Sequence, residues 1–489
     1  MARNWQSTEH GTNIMEALQR LHNRGSISTG YDVDNSLKFE EDNLEAVYAQ
    51  PTADGNQRTW TVSMWFKRTE LGVSGVYNTL ITALVGAETG SVYITPTDEL
   101  ICDVGLGGTR NRQQTAMKFR DTSAWYHIVW RVDTTQGTAA DRHRLYVNGV
   151  LQEWTTIDGY PAQNFQSNWN NNYPIYIGCY STYNNYGFNG YIAEVHHADG
   201  ISHAPTEFGE VDDDSGIWKP KEYTGSYGAQ GFYLPFDDSS NLGTNAKGND
   251  VNFTLQNITA ADQATDTPTN NFATFNVAQP RQSGTTIAEG GTEMYVNSNY
   301  QTAVSSIAVS KGKWYAEFIA GGHTCYVGFV DVSEWTIPQL HNGYFLGYSN
   351  SANTMSVAMK GTDGNFYNDN NSASGATFGT GDIISVALDM DNRKAYWAVN
   401  GTYVNSGNPA TGANPVTWYT YRDNGPNWTD VITMGITGYS NTYHRCNFGG
   451  YSSVVPSSAA SDADGYGTFE YAPPSGYYAL CTKNLEEYG

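Results

Sequence analysis

The sequence predicts an all-β protein with one short helix near its start, and three observations point there. Aromatic residues reach 13% of the 489 residues, with 35 Tyr and 13 Trp, and 51 Gly accompany them. Tyr, Trp, Val and Thr fit a half-buried pleat, while Gly, Asn and Asp supply tight turns. Short stretches of alternating apolar and polar residues recur along most of the chain, which is the period of a strand with one buried face. At about 150 residues per domain, the length implies roughly three domains and excludes a single small one.

Charge and cysteine usage narrow the function classes. Charged residues are only 15% of the chain and the net charge is −23. A field of that sign repels phosphate backbones and anionic lipid, so neither nucleic-acid binding nor membrane insertion is expected. The first 22 residues, MARNWQSTEHGTNIMEALQRLH, lack a continuous apolar run, and no later stretch approaches 18 uncharged apolar residues. A soluble, unsecreted product is expected. Cys102, Cys179, Cys325, Cys446 and Cys481 are isolated and odd in number, so they read as small buried hydrophobes rather than a disulfide framework or a zinc cage.

Taken in order, residues 1–35 hold the helix signal. Asn13 and Glu16 have capping-box spacing, and Ile14, Leu18 and Leu21 share one stripe before Gly25. A helix of about three turns is marginal alone, so its stripe must pack, either on its own chain or in an assembly. Residues 36–237 carry strand patterns: TWTVSMWFKR, GSVYITP, AWYHIVWRVD, HRLYVNGVLQEW, YPIYIGCY and GYIAEVHHADG. In AWYHIVWRVD, Trp125, His127, Val129 and Arg131 share one face, and Tyr126, Ile128, Trp130 and Val132 the other. Asn148-Gly149 between LYV and VLQEW is a type I′ hairpin signal, because both positions need positive φ. Residues 238–282 are poor in aromatics and read as an extended connector, although Val251, Phe253, Leu255 and Ile258 offer a strand or two to a neighbour. Residues 283–489 hold a second strand set, with KGKWYAEFIAGG, CYVGFVD, GYFLGYSN, DVITMGITGYS and HRCNFGGY, and a hairpin in GDIISVALDMDNRKAYWAVNG that turns at Asp391-Asn392.

Two of these sets carry family resemblances. WTVSMWFKR, AWYHIVWRVD, RLYVNGVLQEW, IYIGCY and FNGYIAEVHHADGIS stand in the order found in the laminin-G-like, concanavalin-A-like lectin sandwich. Trp314, Gly381, Asp382, Asn400, Gly401, Asn447, Phe448 and Gly449 stand where a SPRY domain has its signature. The resemblances imply two antiparallel β-sandwich (jelly-roll) domains in tandem, each presenting loops at a rim, with no catalysis attached to the second. The wording of 241–243, 248–254, 266–274 and 473–487 resembles segments of virion proteins of marine tailed bacteriophages.

Catalytic and metal signatures fail. A retaining glucanase on this sandwich needs two carboxylates about 5 Å apart on one strand face. The matching strand offers Glu194 and His196 on one face and no second carboxylate at the needed spacing. A buried, satisfied Glu194 is the commoner outcome. His196 and His197 point to opposite faces, so they cannot chelate one ion with His203. Asp212, Asp213 and Asp214 read as a solvated acidic bulge, with weak Ca²⁺ capture at the rim as the alternative; no cofactor is expected.

Two loops carry more aromatics than a solvated loop needs. Trp169, Tyr183 and Tyr186 sit among asparagines, and Tyr421, Arg422, Asp423 and Trp428 lie where a SPRY domain offers partner loops. Flat rings beside amides suit sugars, whereas the plain alternative is that these side chains cover sandwich edges or a subunit boundary. The expectation is a non-enzymatic adhesin of a bacteriophage virion, in a tail fibre, spike or head fibre. Its rim loops would bind host cell-surface glycan or protein, its N-terminal segment other virion proteins, and it would form a homotrimer on the virion surface after assembly in the host cytoplasm. A capsid decoration protein and a polysaccharide depolymerase are the alternatives.

Overall fold

The computed structural model describes residues 30–489 apart from 73–74, 86–87, 107–108, 181–185, 214, 249–250, 252, 280–283, 335–344, 348–355, 368–374 and 419–428. The helix stripe of Ile14, Leu18 and Leu21 lies outside the described residues, as do Tyr183, Asp214, Tyr421, Arg422, Asp423 and Trp428. Among the described residues the regular secondary structure is almost wholly strand, in two sandwiches, with one α-helix, Thr482–Tyr488, at the opposite end from the expected one.

In the first sandwich, one sheet runs in spatial order Val150–Leu151, His143–Val147, Trp125–Asp133, Thr59–Arg68, Gly190–Asp199, Ser36–Phe39 and Gln263–Ala264. The facing sheet runs Trp154–Ile157, Thr109–Lys118, Glu99–Leu106, Glu88–Ile94, Asn78–Val85, Ile175–Ile177, Ala46–Ala49 and Thr254–Gln256. Every pairing within the two is antiparallel. Between them, Tyr126, Ile128, Trp130 and Val132 point into the core, as their alternation predicts. Asn148 and Gly149 take φ of 45° and 78°, and Val147 pairs with Val150 across the turn.

The other face of the first sheet is not free. Trp65, Trp125, Tyr191 and Ala193 are buried beneath Tyr31, Trp218 and Tyr451, and Val129 beneath Phe208, Tyr223 and Tyr227. A sheet buried on both faces reads as continuous rather than alternating apolar text, which is why Gly190–Asp199 is buried throughout its length.

Residues 238–282 are not a spacer, which corrects the reading of an extended connector. Thr254–Gln256 and Gln263–Ala264 add edge strands to both sheets of the first sandwich, and Val251, Phe253 and Ile258 enter its core. The apolar side chains of this stretch are few, but each finds a slot at a strand edge that would otherwise stay unpaired.

The second sandwich has a third sheet, Thr286–Ala288, Glu293–Val296, Thr442–Asn447, Lys313–Ile319, Ile383–Asp389, Lys394–Val399 and Thr402–Tyr403. Its fourth sheet runs Tyr300–Val304, Ile432–Tyr439, Tyr326–Asp331, Ser356–Lys360 and Phe366–Tyr367. Trp314, Phe318, Phe329, Trp397 and Trp418 fill the space between them, and the buried Trp397 indole donates to the Val327 carbonyl at 2.9 Å. Asp389 pairs with Lys394 across the expected hairpin turn, and Asn400-Gly401 forms a second turn with φ of 48° and 77°.

A buried polar joint ties the two sandwiches together. Lys67 Nζ donates to Asp266 Oδ2 at 2.7 Å, Asn271 Oδ1 at 2.7 Å and the Phe272 carbonyl at 2.8 Å. Asp266 also accepts from the Trp125 indole at 3.0 Å. From there the chain continues into the second sandwich, where Phe272 bridges Cys481 and Asn271 N donates to Thr482 Oγ1 at 2.9 Å. All five cysteines are buried and free, as their scattered spacing predicts.

Candidate functional site

The outward face of the second sheet carries the most developed surface cluster of the first sandwich. Val92, Cys102, Ile81, Ala83, Ile175 and Val47 point into the core, so their strand neighbours point out. Pairing places Arg112, Asp103, Ser91, Thr82, Tyr176, Tyr48 and Thr254 directly opposite one another in one row across the sheet. At about 4.8 Å per strand the row spans roughly 29 Å. Thr82 and Ser91 share a hydrogen bond of 2.7 Å, and the Tyr48 and Tyr176 rings stack with centroids 5.5 Å apart.

Beside the row, four half-buried tyrosines form a connected set. Tyr77 meets Tyr93 edge-on at 5.7 Å and Tyr186 at 5.7 Å, and Tyr186 meets Tyr180 at 5.5 Å. Tyr93 projects from its strand, whereas Tyr180 and Tyr186 come from the loop that follows Ile175–Ile177. That loop leaves the sheet at Gly178, which takes φ of +82° and lies so close to the Phe39 ring that a Cβ would stand 2.1 Å from it. Only glycine permits the turn that brings Tyr180 and Tyr186 back over the sheet.

Two guanidinium groups border the tyrosines. Arg110 Nε donates to Asp103 Oδ2 at 2.8 Å, and its Nη2 engages the same oxygen. Asp103 is fully buried while half of the Arg110 side chain is exposed. Arg112 Nε donates to Asp158 Oδ2 at 3.0 Å, and the Arg112 guanidinium stands close enough to the Tyr93 hydroxyl to favour its ionised form. Burial raises the Tyr93 hydroxyl above its ordinary range, with Asp103 adding to the effect. Each Arg is therefore fixed by a carboxylate and keeps further N–H groups outward, beside ring faces that exclude water. Such an arrangement recognises ligands offering both CH patches and hydroxyl or carbonyl acceptors.

The remaining sequence candidates fare differently. Tyr186 belongs to this cluster. Trp169 does not reach the surface: it is 0% exposed, and its ring lies 5.4 Å from Trp60 and 5.5 Å from Trp130 in the core. The asparagine-rich text around it belongs to a segment that dips inward, where Asn168 N donates to the Gly105 carbonyl and Gly55 N to the Asn170 carbonyl. As a ligand-contacting rim residue Trp169 is therefore overturned. Asp212 is likewise not an open carboxylate. It is buried, accepts from Ser215 N at 2.8 Å and Ser215 Oγ at 2.9 Å, and pairs with Lys219 at 3.1 Å. The Ser215 bonds, then Lys219, hold its carboxyl down to about 2. Asp213 is exposed, and no group of three potential ligands for a metal ion occurs among the described residues.

Glu194 and His196 do share the outward face of the first sheet, but through a bulge. The register shifts between Ala193 and His196, and Glu194 takes φ of +52°. That turn keeps Val195 in the core and swings the Glu194 carboxylate outward, under Tyr31 and Tyr233, whose hydroxyls donate to it at 2.6 and 2.8 Å. His196 bonds Tyr227 through Nδ1 at 2.8 Å and stacks on Tyr233 at 4.4 Å. Glu194 is 4% exposed, so both its oxygens are committed within the protein.

Tyr77, Tyr93, Tyr180, Arg110 and Arg112 went unrecognised in the sequence. The available signal was two arginines at alternate positions of one strand, in a chain with only 26 basic residues.

Residues 31–200 match the family model described as the concanavalin A-like lectin/glucanases superfamily. A search of curated proteins found no match. Among solved structures, the chain is similar to the SPRY domain of human HERC1, at 16% identity and a TM-score of 0.26, covering 35% of this chain and 96% of that one. It is also similar to a heptameric SAP-like pentraxin from Limulus polyphemus, at 13% identity and a TM-score of 0.28, covering 36% and 82%. Domains LG4-5 of the mouse laminin alpha1 chain match at 9% identity and a TM-score of 0.29, covering 92% and 97%.

Proposed function

We propose that the protein is a non-enzymatic adhesin that takes glycan on the Tyr77–Tyr93–Tyr180–Tyr186 face of its first sandwich. The carrying observation is the set of half-buried rings bordered by Arg110 and Arg112, each held by its own carboxylate. The lectin-type family model over residues 31–200 supports the same ligand class. Because both guanidinium charges are already paired, the face favours neutral or weakly acidic sugars over strongly anionic chains.

The setting proposed for this activity is a bacteriophage virion surface, on the strength of the phage-like wording at 266–274 and 473–487. There the N-terminal segment would anchor the chain to other virion proteins and the chain would be displayed as a homotrimer. Repetition converts weak single contacts into useful avidity, since a second contact on a linked copy is intramolecular.

The test is binding of the full chain to immobilised bacterial lipopolysaccharide and capsular polysaccharide preparations, with reducing ends assayed in the same wells. Wild type is expected to bind without releasing reducing ends. Tyr186→Ala and Arg112→Gln are expected to weaken binding; Arg112 is the informative arginine because its partner Asp158 is solvent-accessible and is not stranded by the change. Released reducing ends would overturn the non-enzymatic reading, and undiminished binding by both variants would overturn the site. Light scattering at about one chain mass would overturn the trimer.

A further inference from the structure

We infer that the outward face of the fourth sheet, in the second sandwich, is a second glycan-binding surface, centred on Tyr439 and Tyr300 and closed at one end by Lys360 and Asp363. The inference goes beyond the first-sandwich face and does not depend on it.

The face follows from strand parity. Val327, Phe329, Met359, Phe366, Met434 and Ile436 enter the second core, so Tyr326, Lys360, Tyr367, Thr437 and Tyr439 point the other way. Tyr300 lies opposite Tyr439, and Thr302, Thr437, Tyr326 and Lys360 lie opposite one another in the neighbouring row. The rings form an unbroken run: Tyr439 to Tyr300 at 4.7 Å, Tyr300 to Phe345 at 5.1 Å, and Phe345 to Tyr367 at 5.9 Å. Beneath them Tyr326 is a buried floor, stacked on Phe345 at 3.9 Å with the planes 13° apart.

At the Tyr367 end the run meets paired charge. Lys360 Nζ stands 5.7 Å from the Tyr326 ring centroid and 5.4 Å from that of Tyr367. Asp363 holds Lys360 at 3.3 Å and accepts from the Tyr367 hydroxyl at 3.2 Å. The lysine is thus placed by two rings and a carboxylate rather than left to sample solvent.

Chemistry and size together select the ligand. An ammonium donates, a carboxylate accepts, and phenolic hydroxyls do both, which matches the mixed demands of sugar hydroxyls, while the half-buried rings around Tyr439 take the CH side of a pyranose. A protein partner calls for a contiguous apolar patch of several hundred Å². Among the described residues, Tyr439, at 40%, is the only exposed large hydrophobic on this face. The single-sign field of the chain, −23 in all, further disfavours polyanions.

The experiment is saturation-transfer NMR on the full chain carrying Tyr186→Ala, so that the contribution of the first-sandwich face is reduced. Cellotetraose, mannotetraose and chitotetraose serve separately as probes. At least one is expected to receive saturation. Adding Tyr439→Ala or Lys360→Met should weaken that signal by about threefold to tenfold, the range of one aromatic contact. Tyr439 is exposed and methionine keeps the half-buried stem of Lys360, so both variants should melt close to the parent, and melting measured alongside separates lost binding from lost folding. No transfer to any of the three probes, or transfer unchanged in both variants, overturns the inference. Failure of the first-sandwich reading shows separately, as Tyr186→Ala binding no worse than wild type.

Discussion

Replacing Lys67 by methionine tests whether the joint between the sandwiches is held by charge or merely by shape. Lys67 is fully buried, and its ammonium donates to Asp266, Asn271 and the Phe272 carbonyl within 2.8 Å. Methionine keeps most of the stem volume, so little packing is lost; the carboxylate of Asp266, itself 1% exposed, is left with only the Trp125 indole and Phe272 N as donors. Removing one partner of a buried pair costs about 3–5 kcal/mol, whereas replacing both by apolar groups of similar volume is often neutral or stabilising. Lys67→Met should therefore lower the unfolding free energy obtained from chemical denaturation by that amount, and Lys67→Met with Asp266→Leu should recover much of it. Loss in the single variant of less than about 1 kcal/mol would refute the reasoning, because Asp266 would then be solvated or protonated at little cost. Failure of the double variant to recover would show instead that Asn271 and Phe272 need the ammonium for their own sake.

Other expectations follow from the same geometry. Trp169→Ala should cost about 3–5 kcal/mol by thermal or denaturant melting, since the ring is enclosed by Trp60 and Trp130 and by the backbone of Gly90; a loss near zero would return Trp169 to the surface. Burial, opposed by Lys38 and reinforced by Glu289 and Glu45, raises the Glu40 carboxyl from 4.5 to about 8. Because the folded state keeps a proton that the unfolded chain releases, this contribution is complete below pH 4.5 and is lost as pH rises to about 8, by up to about 4 kcal/mol. Glu40→Gln, which keeps an acceptor for Glu289 N, should flatten that fall in a pH series of melts. Gly178→Ala should destabilise the loop bearing Tyr180 and Tyr186, and it should weaken glycan binding in the plate assay beyond any change in melting.

How far the sequence could be read depended on what kind of signal each element carried. Asn148-Gly149 and Asn400-Gly401 are legible because a tight hairpin turn needs positive φ at both positions, which Asn and Gly tolerate. The core face of Trp125–Asp133 was equally plain from alternation. Glu194 is the opposite case: its placement beside His196 matches simple alternation, yet it arises from a left-handed bulge that resets the phase between Ala193 and His196. Trp169 misled for a chemical reason, since asparagines satisfy buried backbone groups as readily as they solvate a loop. The Tyr77–Tyr93–Tyr180–Tyr186 cluster assembles from three separate stretches, and only pairing across the sheet brings them together.

The joint gives residues 266–274 and 473–487 a structural meaning that their composition concealed. Residues 266–274 and 473–487 are far apart in sequence, yet Asn271 N bonds Thr482 Oγ1, Ala273 N bonds the Leu480 carbonyl and Lys483 N bonds Asn270 Oδ1. They pack on each other, and the first of them supplies the acceptors for Lys67 from the first sandwich. They also bury apolar side chains together: Phe272 packs with Tyr477, Ala479 and Cys481, while Leu480 and Leu485 enter the second core. Their order comes from that packing together with satisfied hydrogen bonds in a low-dielectric setting, where each unmet partner is costly. Such a joint would hold the two proposed glycan faces at a fixed spacing. A flexible linker would let the faces reorient freely and dilute the effective concentration of the second contact, whereas a hydrogen-bonded one keeps it high.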